Sequence, residues 1–463
     1  MQHDVDVVVV GAGLAGLAAA RASAAAGVEP LVVEARDRVG GRVLDEPLGA
    51  DGAIERGAAF VGSTQDRMRA LAAETGVPLF DTHATGSNLV EVAGRVTRFT
   101  GTIPRLGPVV LADFAQAQLK LDRLARRVDP EAPWLARGAG RLDAQSFGSW
   151  MRRNLATRRA RRLLAGAANT VWGTEPEDMS LLYVLAYLRA AGGLDPVLDT
   201  VGGAQHHRLA GGPQLVARRV ADALGDRVLL GAPVRRIEHG AEGVVVRAGG
   251  VDASARRAIV AVPPPLAARI EYDPPLPGAR DQLAQRMPMG SLMKCFAVYD
   301  EPFWRRDGLT GEAVSDAGPA KIVFDCSPPG GSPGVLLGFV GGAAQRTLGG
   351  GPAGERRAAV LAGFARLFGP RAERPDRYLE QDWTAEPWSR GGPVAYMTTG
   401  AITAFGRVLR EPVGPVHWAG TETAAAWTGY MDGAVRSGER AAAEALAAIG
   451  AARPRTPAGA PAR

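Results

Sequence analysis

The sequence predicts an α/β fold: a Rossmann-like parallel sheet that binds a dinucleotide, interleaved with a mixed α+β domain. Three observations predict it. A Val-rich run over residues 5–10 ends in Gly11 and reads as a buried parallel strand. An Ala-rich helix follows over 14–26, closed by Gly27, and a second short strand over 31–34 completes a βαβ unit of about 30 residues. Far downstream, residues 416–419 give another buried strand and 430–448 a last helix ended by Gly450, so the first domain draws on both ends of the chain.

Between these ends the chain changes character near residue 80. Helical patterns run over 66–75 and 113–127 and, Arg-rich, over 141–192. Residues 152–162 hold six Arg, which reads as a solvated helix face. A Gly-Gly-Pro turn opens a helix over 211–224. Short strands at 228–230, 234–238, 243–247 and 258–262 read as a small antiparallel meander, stopped by three consecutive prolines at 263–265. A second mixed region spans 286–387. The expected division is a discontinuous nucleotide domain (1–80, 208–285, 388–450), a substrate domain (81–207, 286–387) and a disordered Pro/Ala/Arg tail (451–463).

Composition excludes several function classes. The 463 residues are 46% apolar, enough for large cores and against a disordered chain. Only Lys120, Lys294 and Lys321 are Lys among 54 basic residues, so the net charge of +6 reflects Arg-rich background, not a nucleic-acid face. Two cysteines, Cys295 and Cys326, exclude a disulfide framework. Six His without metal-type spacing argue against a zinc enzyme, and no metal is expected. No apolar run reaches the roughly 18 residues of a membrane span, nor is there a signal-peptide pattern, so a cytoplasmic enzyme is expected.

The chemistry begins at Gly11-Ala12-Gly13-Leu14-Ala15-Gly16, between strand and helix. Gly11 makes the tight turn, Gly13 lets the backbone approach a pyrophosphate, and Gly16 lets helix and strand pack closely; the helix N-terminus favours the phosphates. Glu34, 18 residues after Gly16, sits where a ribose is held, with Ala35 beside it. The stretch 36–42 adds Arg36 and Arg42 beside the Gly40-Gly41 turn, a second cradle that favours FAD over NAD.

Further segments resemble the flavin-dependent monoamine oxidase family: residues 289–295 followed by 301–304; Gly57-Ala58-Ala59-Phe60-Val61-Gly62; and Gly420-Thr421-Glu422-Thr423 followed by 427–434. The matches run in the family's order over nearly the whole chain. The resemblance implies an amine oxidase-like fold and FAD held by the glycine motifs, by Gly57, Ala58, Ala59 and Phe60, by Val234 at the adenine, by Trp383, and by Gly420, Thr421, Glu422, Gly429, Tyr430 and Met431. It implies Lys294 near flavin N5, holding a water, and Tyr430 as one wall of an aromatic cage. Gln205, Trp388, Pro393 and Tyr396 are implied at the substrate. Two departures stand out. Gly392 occupies the place of the Cys that links the flavin in many members, which implies non-covalent FAD, and Pro393 replaces the second cage aromatic. Period-2 alternation would put Trp388, Gly392 and Tyr396 on one side of an extended segment and Pro393 on the other.

The expected reaction is oxidation of an amine to an imine, which hydrolyses to an aldehyde or ketone, with O2 reduced to hydrogen peroxide. The expected partners are thus a small-molecule amine and O2, without nucleic acid or membrane span; a homodimer is compatible with the sequence. An L-amino-acid oxidase or a natural-product tailoring oxidase is the nearest alternative. A non-catalytic flavin-binding protein is the more distant one.

Overall fold

A computed structural model describes residues 1–49, 52–101 and 106–451. Two large sheets organise them. In the first, strand Gln2–Val10 lies between Pro30–Val33 and Val251–Val260 and is parallel to both; Val228–Leu229 extends one edge. Val7, Val8 and Val9 are fully buried, because helices and strands cover both faces.

The expected small meander is corrected here. Val234–Gly240 and Gly243–Ala248 are antiparallel, but the strand after them runs over Val251–Val260, longer than its sequence reading. It pairs with Gly243–Ala248 at its start and with Val416–Trp418 at its end, along one edge. Its other edge joins Gln2–Val10, so the hairpin belongs to the central sheet. Its inward residues Ala253, Ala255 and Ala258 are too small to read as a strand pattern from sequence.

Helix Leu14–Ala25 packs against helix Met431–Ala451. The contact is made by small residues: a Cβ on Gly438 would lie 2.1 Å from the Ala15 carbonyl, and Ala441, Ala442 and Ala445 are fully buried. This last helix passes through Gly450 instead of ending there. The tail read as disordered lies beyond it, outside the described residues.

The second sheet has seven strands in the order Arg377–Asp382, Leu292–Tyr299, Gly334–Gly341, Ile322–Asp325, Leu309–Ser315, Ser87–Val92 and Arg95–Phe99. Leu292–Tyr299 is buried at every position, which fits a central strand flanked on both edges. Helices between Pro108 and Leu198 form a separate apolar cluster around Trp150, Leu182 and Tyr187. The Arg-rich stretch is solvated as read, with Arg152 and Arg162 more than half exposed and paired to Glu177 and Asp316.

Candidate active site

One deep cleft runs between the two sheets. Its nucleotide end is built by the first βαβ unit. Gly11 has φ +101°, and Gly16 packs so closely that a Cβ there would fall 1.9 Å from the Gly11 carbonyl. Gly13 faces the second glycine turn: a Cβ on Gly41 would lie 3.2 Å from the Gly13 Cα. Helix Leu14–Ala25 has no side-chain cap and no acidic residue in its first turn. Its N-terminal N–H groups therefore remain free for an anion.

Glu34 is 3% exposed. Its Oε2 accepts the Ala12 amide at 2.7 Å and its Oε1 the Arg36 amide at 3.0 Å. Arg36 donates to Ser389 Oγ at 2.9 Å, but its buried Nε has no partner within the protein. An unpartnered guanidinium N–H beside an uncapped helix and two stacked glycine turns is the donor set that a pyrophosphate completes. The site fits a dinucleotide.

At mid-cleft, Arg42 makes a forked pair with Glu422, at 2.5 and 3.0 Å, and donates to the Pro393 carbonyl at 2.9 Å. Glu422 also accepts the Ala395 amide at 3.2 Å. Burial alone would push the Glu422 carboxyl up; the Arg42 charge and these hydrogen bonds reverse that and hold it below its ordinary value.

At the far end Lys294, on strand Leu292–Tyr299, lines the cleft and is 3% exposed. Its Nζ donates to the Glu55 and Gly57 carbonyls at 2.5 and 2.6 Å. Burial lowers its pKa to about 8. Opposite stands an aromatic group. Tyr430 lies 6.0 Å from Tyr187 and 5.0 Å from Trp427, centroid to centroid, and Tyr187 lies 5.1 Å from Trp172. Burial raises the Tyr430 phenol to about 12, so it stays neutral. Gly429, at φ +85°, lets the chain pass Tyr187, whose hydroxyl would lie 2.8 Å from a Cβ there.

Most of the expected site residues meet in this cleft. From the glycine motifs Gly11, Gly13, Leu14, Ala15, Gly40 and Gly41 line it. So do Glu34, Arg36, Arg42, Gly57, Ala58, Ala59, Phe60, Lys294, Trp383, Gly420, Thr421, Gly429, Tyr430 and Met431, and of the substrate group Gln205, Trp388 and Pro393. Ala12, Gly16, Ala35 and Glu422 do not line it, though Ala12 donates to Glu34 and Glu422 pairs with Arg42, both of which do. Val234 and Tyr396 do not line the cleft. Tyr396 is buried in the helical cluster instead, its hydroxyl against Thr174. The alternation expected over 388–396 is overturned. Arg390 closes a turn on the Glu386 carbonyl at 2.7 Å, and Arg390 and Gly391 have φ of +54° and +141°, so Trp388, Gly392 and Pro393 all reach the cleft.

Sequence reading missed Tyr187, Phe324 and Phe339 in the wall. Tyr183 and Tyr187 are four apart on helix Leu181–Ala191, which places both on one face, a signal open to notice. Among the described residues one cluster carries metal-type donors: Asp81, His206 and His207. His206 Nδ1 accepts the Gly202 amide at 2.6 Å, which leaves the ring proton on Nε2, facing Asp81. His206 Nε2 and His207 Nε2 lie 3.7 and 3.5 Å from Asp81 Oδ1.

The family model for flavin containing amine oxidoreductase matches residues 14–446. The chain belongs to this family. It is a flavoprotein amine oxidase that uses FAD. It is 48% identical over 445 residues to the protein assigned as flavin-containing monoamine oxidase AofH of Mycobacterium tuberculosis, covering 96% of this chain and 97% of that one. It is 35% identical to amine oxidase B of Sus scrofa, covering 97% and 88%. Among solved structures, putrescine oxidase bound to putrescine superposes with a TM-score of 0.93 at 35% identity, covering 96% of this amine oxidase and all of that chain. Cyclohexylamine oxidase from Brevibacterium oxydans gives 0.93 at 36%, with the same coverage. Among the described residues of this amine oxidase no helix is long and apolar enough to cross a membrane.

Proposed function

We propose that this amine oxidase oxidises a bulky, apolar monoamine, with O2 as the electron acceptor and with FAD held non-covalently. Bound FAD supplies the two-electron acceptor for the C–N bond. The charge of the cleft wall carries the substrate reading. Among its described residues the only carboxylate is Glu34, at the nucleotide end, and the only cations are Arg36, Arg42 and Lys294. A diamine would bring a second ammonium with no carboxylate to meet it. An amino acid would need a free Arg at the substrate end, yet Arg42 is committed to Glu422 and Arg36 stands at the nucleotide end beside Glu34 and Ser389. Apart from the uncharged Thr170 and Gln205, the substrate end is lined by apolar and aromatic side chains such as Val197, Leu198, Ile322, Phe324 and Phe339.

In this reading Tyr430 and Tyr187 present ring faces to the amine, and neutral phenols suit an amine that reacts uncharged. Gln205 donates to the Val197 carbonyl at 3.2 Å while its side-chain oxygen is buried and unpartnered, so it is placed to accept an N–H from the amine. Lys294 holds positive charge at the wall where oxygen is reduced. The net reaction converts the amine and O2 into imine and hydrogen peroxide, and water then hydrolyses the imine. Gly392 carries no thiol, and neither buried cysteine lines the cleft, which supports a dissociable cofactor. Two unpaired cysteines also suit a reducing cytoplasm. The test is anaerobic: a bulky monoamine should bleach the yellow enzyme, and air should restore the colour with release of peroxide. Bleaching by putrescine or an L-amino acid at a higher rate would overturn the substrate reading.

A further inference from the structure

Behind Lys294 lies a buried layer of charge that oxidation of the amine does not use. The Glu55 carboxylate is forked by Arg208, with Nε to Oε1 at 2.9 Å and Nη2 to Oε2 at 2.7 Å. Arg208 Nη1 donates to the Ser327 carbonyl at 2.6 Å. Glu55 is 1% exposed and Arg208 2%. Glu55 is also the residue whose backbone carbonyl accepts the Lys294 ammonium.

Three other titratable groups face this layer: Asp45, Cys326 and Asp325, whose buried carboxylate is paired with Arg305. Asp45, opposite Glu55 in the ladder of Asp45–Leu48 with Gly52–Glu55, has its carboxyl pushed up to about 8, first by burial and then by the Glu55 charge. The Cys326 thiol is pushed up to about 12 by burial. The forked Glu55–Arg208 pair bears on the ammonium, which the rings of Phe296 and Phe339 flank at 5.2 and 5.5 Å. A buried ion pair is close to neutral for stability against a well-packed apolar pair, so stability alone does not account for it.

We propose that the Glu55–Arg208 pair is the positioning element for Lys294: it locks residue 55 so that the Glu55 and Gly57 carbonyls hold the ammonium at the cleft wall, and its two charges bear on that ammonium with opposite sign. The consequence for turnover rests on the proposed role of Lys294 in oxygen reduction; the arrangement itself does not. Burial lowers the Lys294 pKa; Cys326, Glu55 and Asp45 act to raise it and Arg208 to lower it.

The chain's three lysines make the test direct. Holoenzyme carrying 13Cε-lysine gives three lysine signals, and Lys294→Met identifies the one of interest. In wild type that signal should titrate near pH 8. Arg208→Gln should raise its midpoint and Glu55→Gln lower it, each by about one unit, with Glu55→Asp returning it toward wild type. Shifts of the same sign, or none, would overturn the proposal, since opposite charges that bear on the ammonium must move its midpoint in opposite directions. If the single variants do not retain FAD, the double variant Glu55→Gln/Arg208→Met leaves no charge unpaired. Its Lys294 line should broaden and its titration depart from wild type; identity with wild type in both overturns the proposal. Failure of the Lys294 role itself reads differently: Lys294→Met would then reoxidise normally while these shifts persist.

Discussion

Arg42 and Glu422, 380 residues apart in sequence, meet in a forked ion pair at mid-cleft, and the same Arg42 holds the Pro393 carbonyl. The pair ties the second glycine turn to the C-terminal cofactor segment. Arg42→Met should leave the fully buried Glu422 carboxylate unpaired, costing about 3–5 kcal/mol and releasing FAD on dilution. Because the Glu422 pKa is depressed in the folded enzyme, its contribution is present above the ordinary Glu value of about 4.3 and is lost as pH falls through the folded value. The Tm advantage of wild type over Glu422→Gln should therefore be full at pH 7 and shrink below about pH 4. An advantage that is constant with pH would contradict this.

Lys294→Met should slow flavin reoxidation by roughly tenfold or more, with less effect on reduction by the amine, as expected for losing about 1.4 kcal/mol of charge stabilisation. Stopped-flow reoxidation at the wild-type rate would remove Lys294 from the oxygen reaction.

Acid precipitation of the wild-type enzyme should leave its FAD in the supernatant. A Cβ on Gly392 would lie 3.4 Å from its nearest neighbour, Trp383 Cβ, and Gly392 lies outside the positive-φ range, so a side chain fits there. Gly392→Cys should fold, stay yellow and retain part of its flavin in the precipitate. Flavin in the wild-type pellet would sink the non-covalent reading.

Cyclohexylamine-like substrates should have kcat/KM at least about tenfold above putrescine, in keeping with about 1.4 kcal/mol or more for an ammonium left without a partner. Tyr430→Ala should lower kcat/KM for every amine, since it removes one ring of the cage. Pro393→Tyr should shift preference toward slim primary amines by narrowing the cleft. An unchanged ranking in Pro393→Tyr would show that residue 393 does not set the width.

The nucleotide end was legible because its requirements are local. Gly16 packs on the Gly11 carbonyl within one loop, and Glu34 accepts the Ala12 amide one strand away. The substrate end was less so. Lys294 announced itself by rarity, but Tyr187, Phe324 and Phe339 come from three elements whose convergence is a property of the packed sheet. Tyr396 was misplaced for a related reason. Alternation holds only in regular extended chain, and the turn at Glu386–Gly391 rotates the residues after it. Val251–Val260 looked like the end of a meander because the alanines that seat it against Gln2–Val10 carry little pattern.

The close contact of Gly438 with Ala15 has a consequence for biosynthesis. The first strand and helix are synthesised long before the partner that seals the helix and the Gly420–Met431 stretch that completes the cleft. The nascent chain must keep an apolar, alanine-lined groove waiting through almost the whole of translation. Holoenzyme can form only once those later segments have emerged, so the supply of folded enzyme depends on how well the earlier unit avoids wrong partners in the interval.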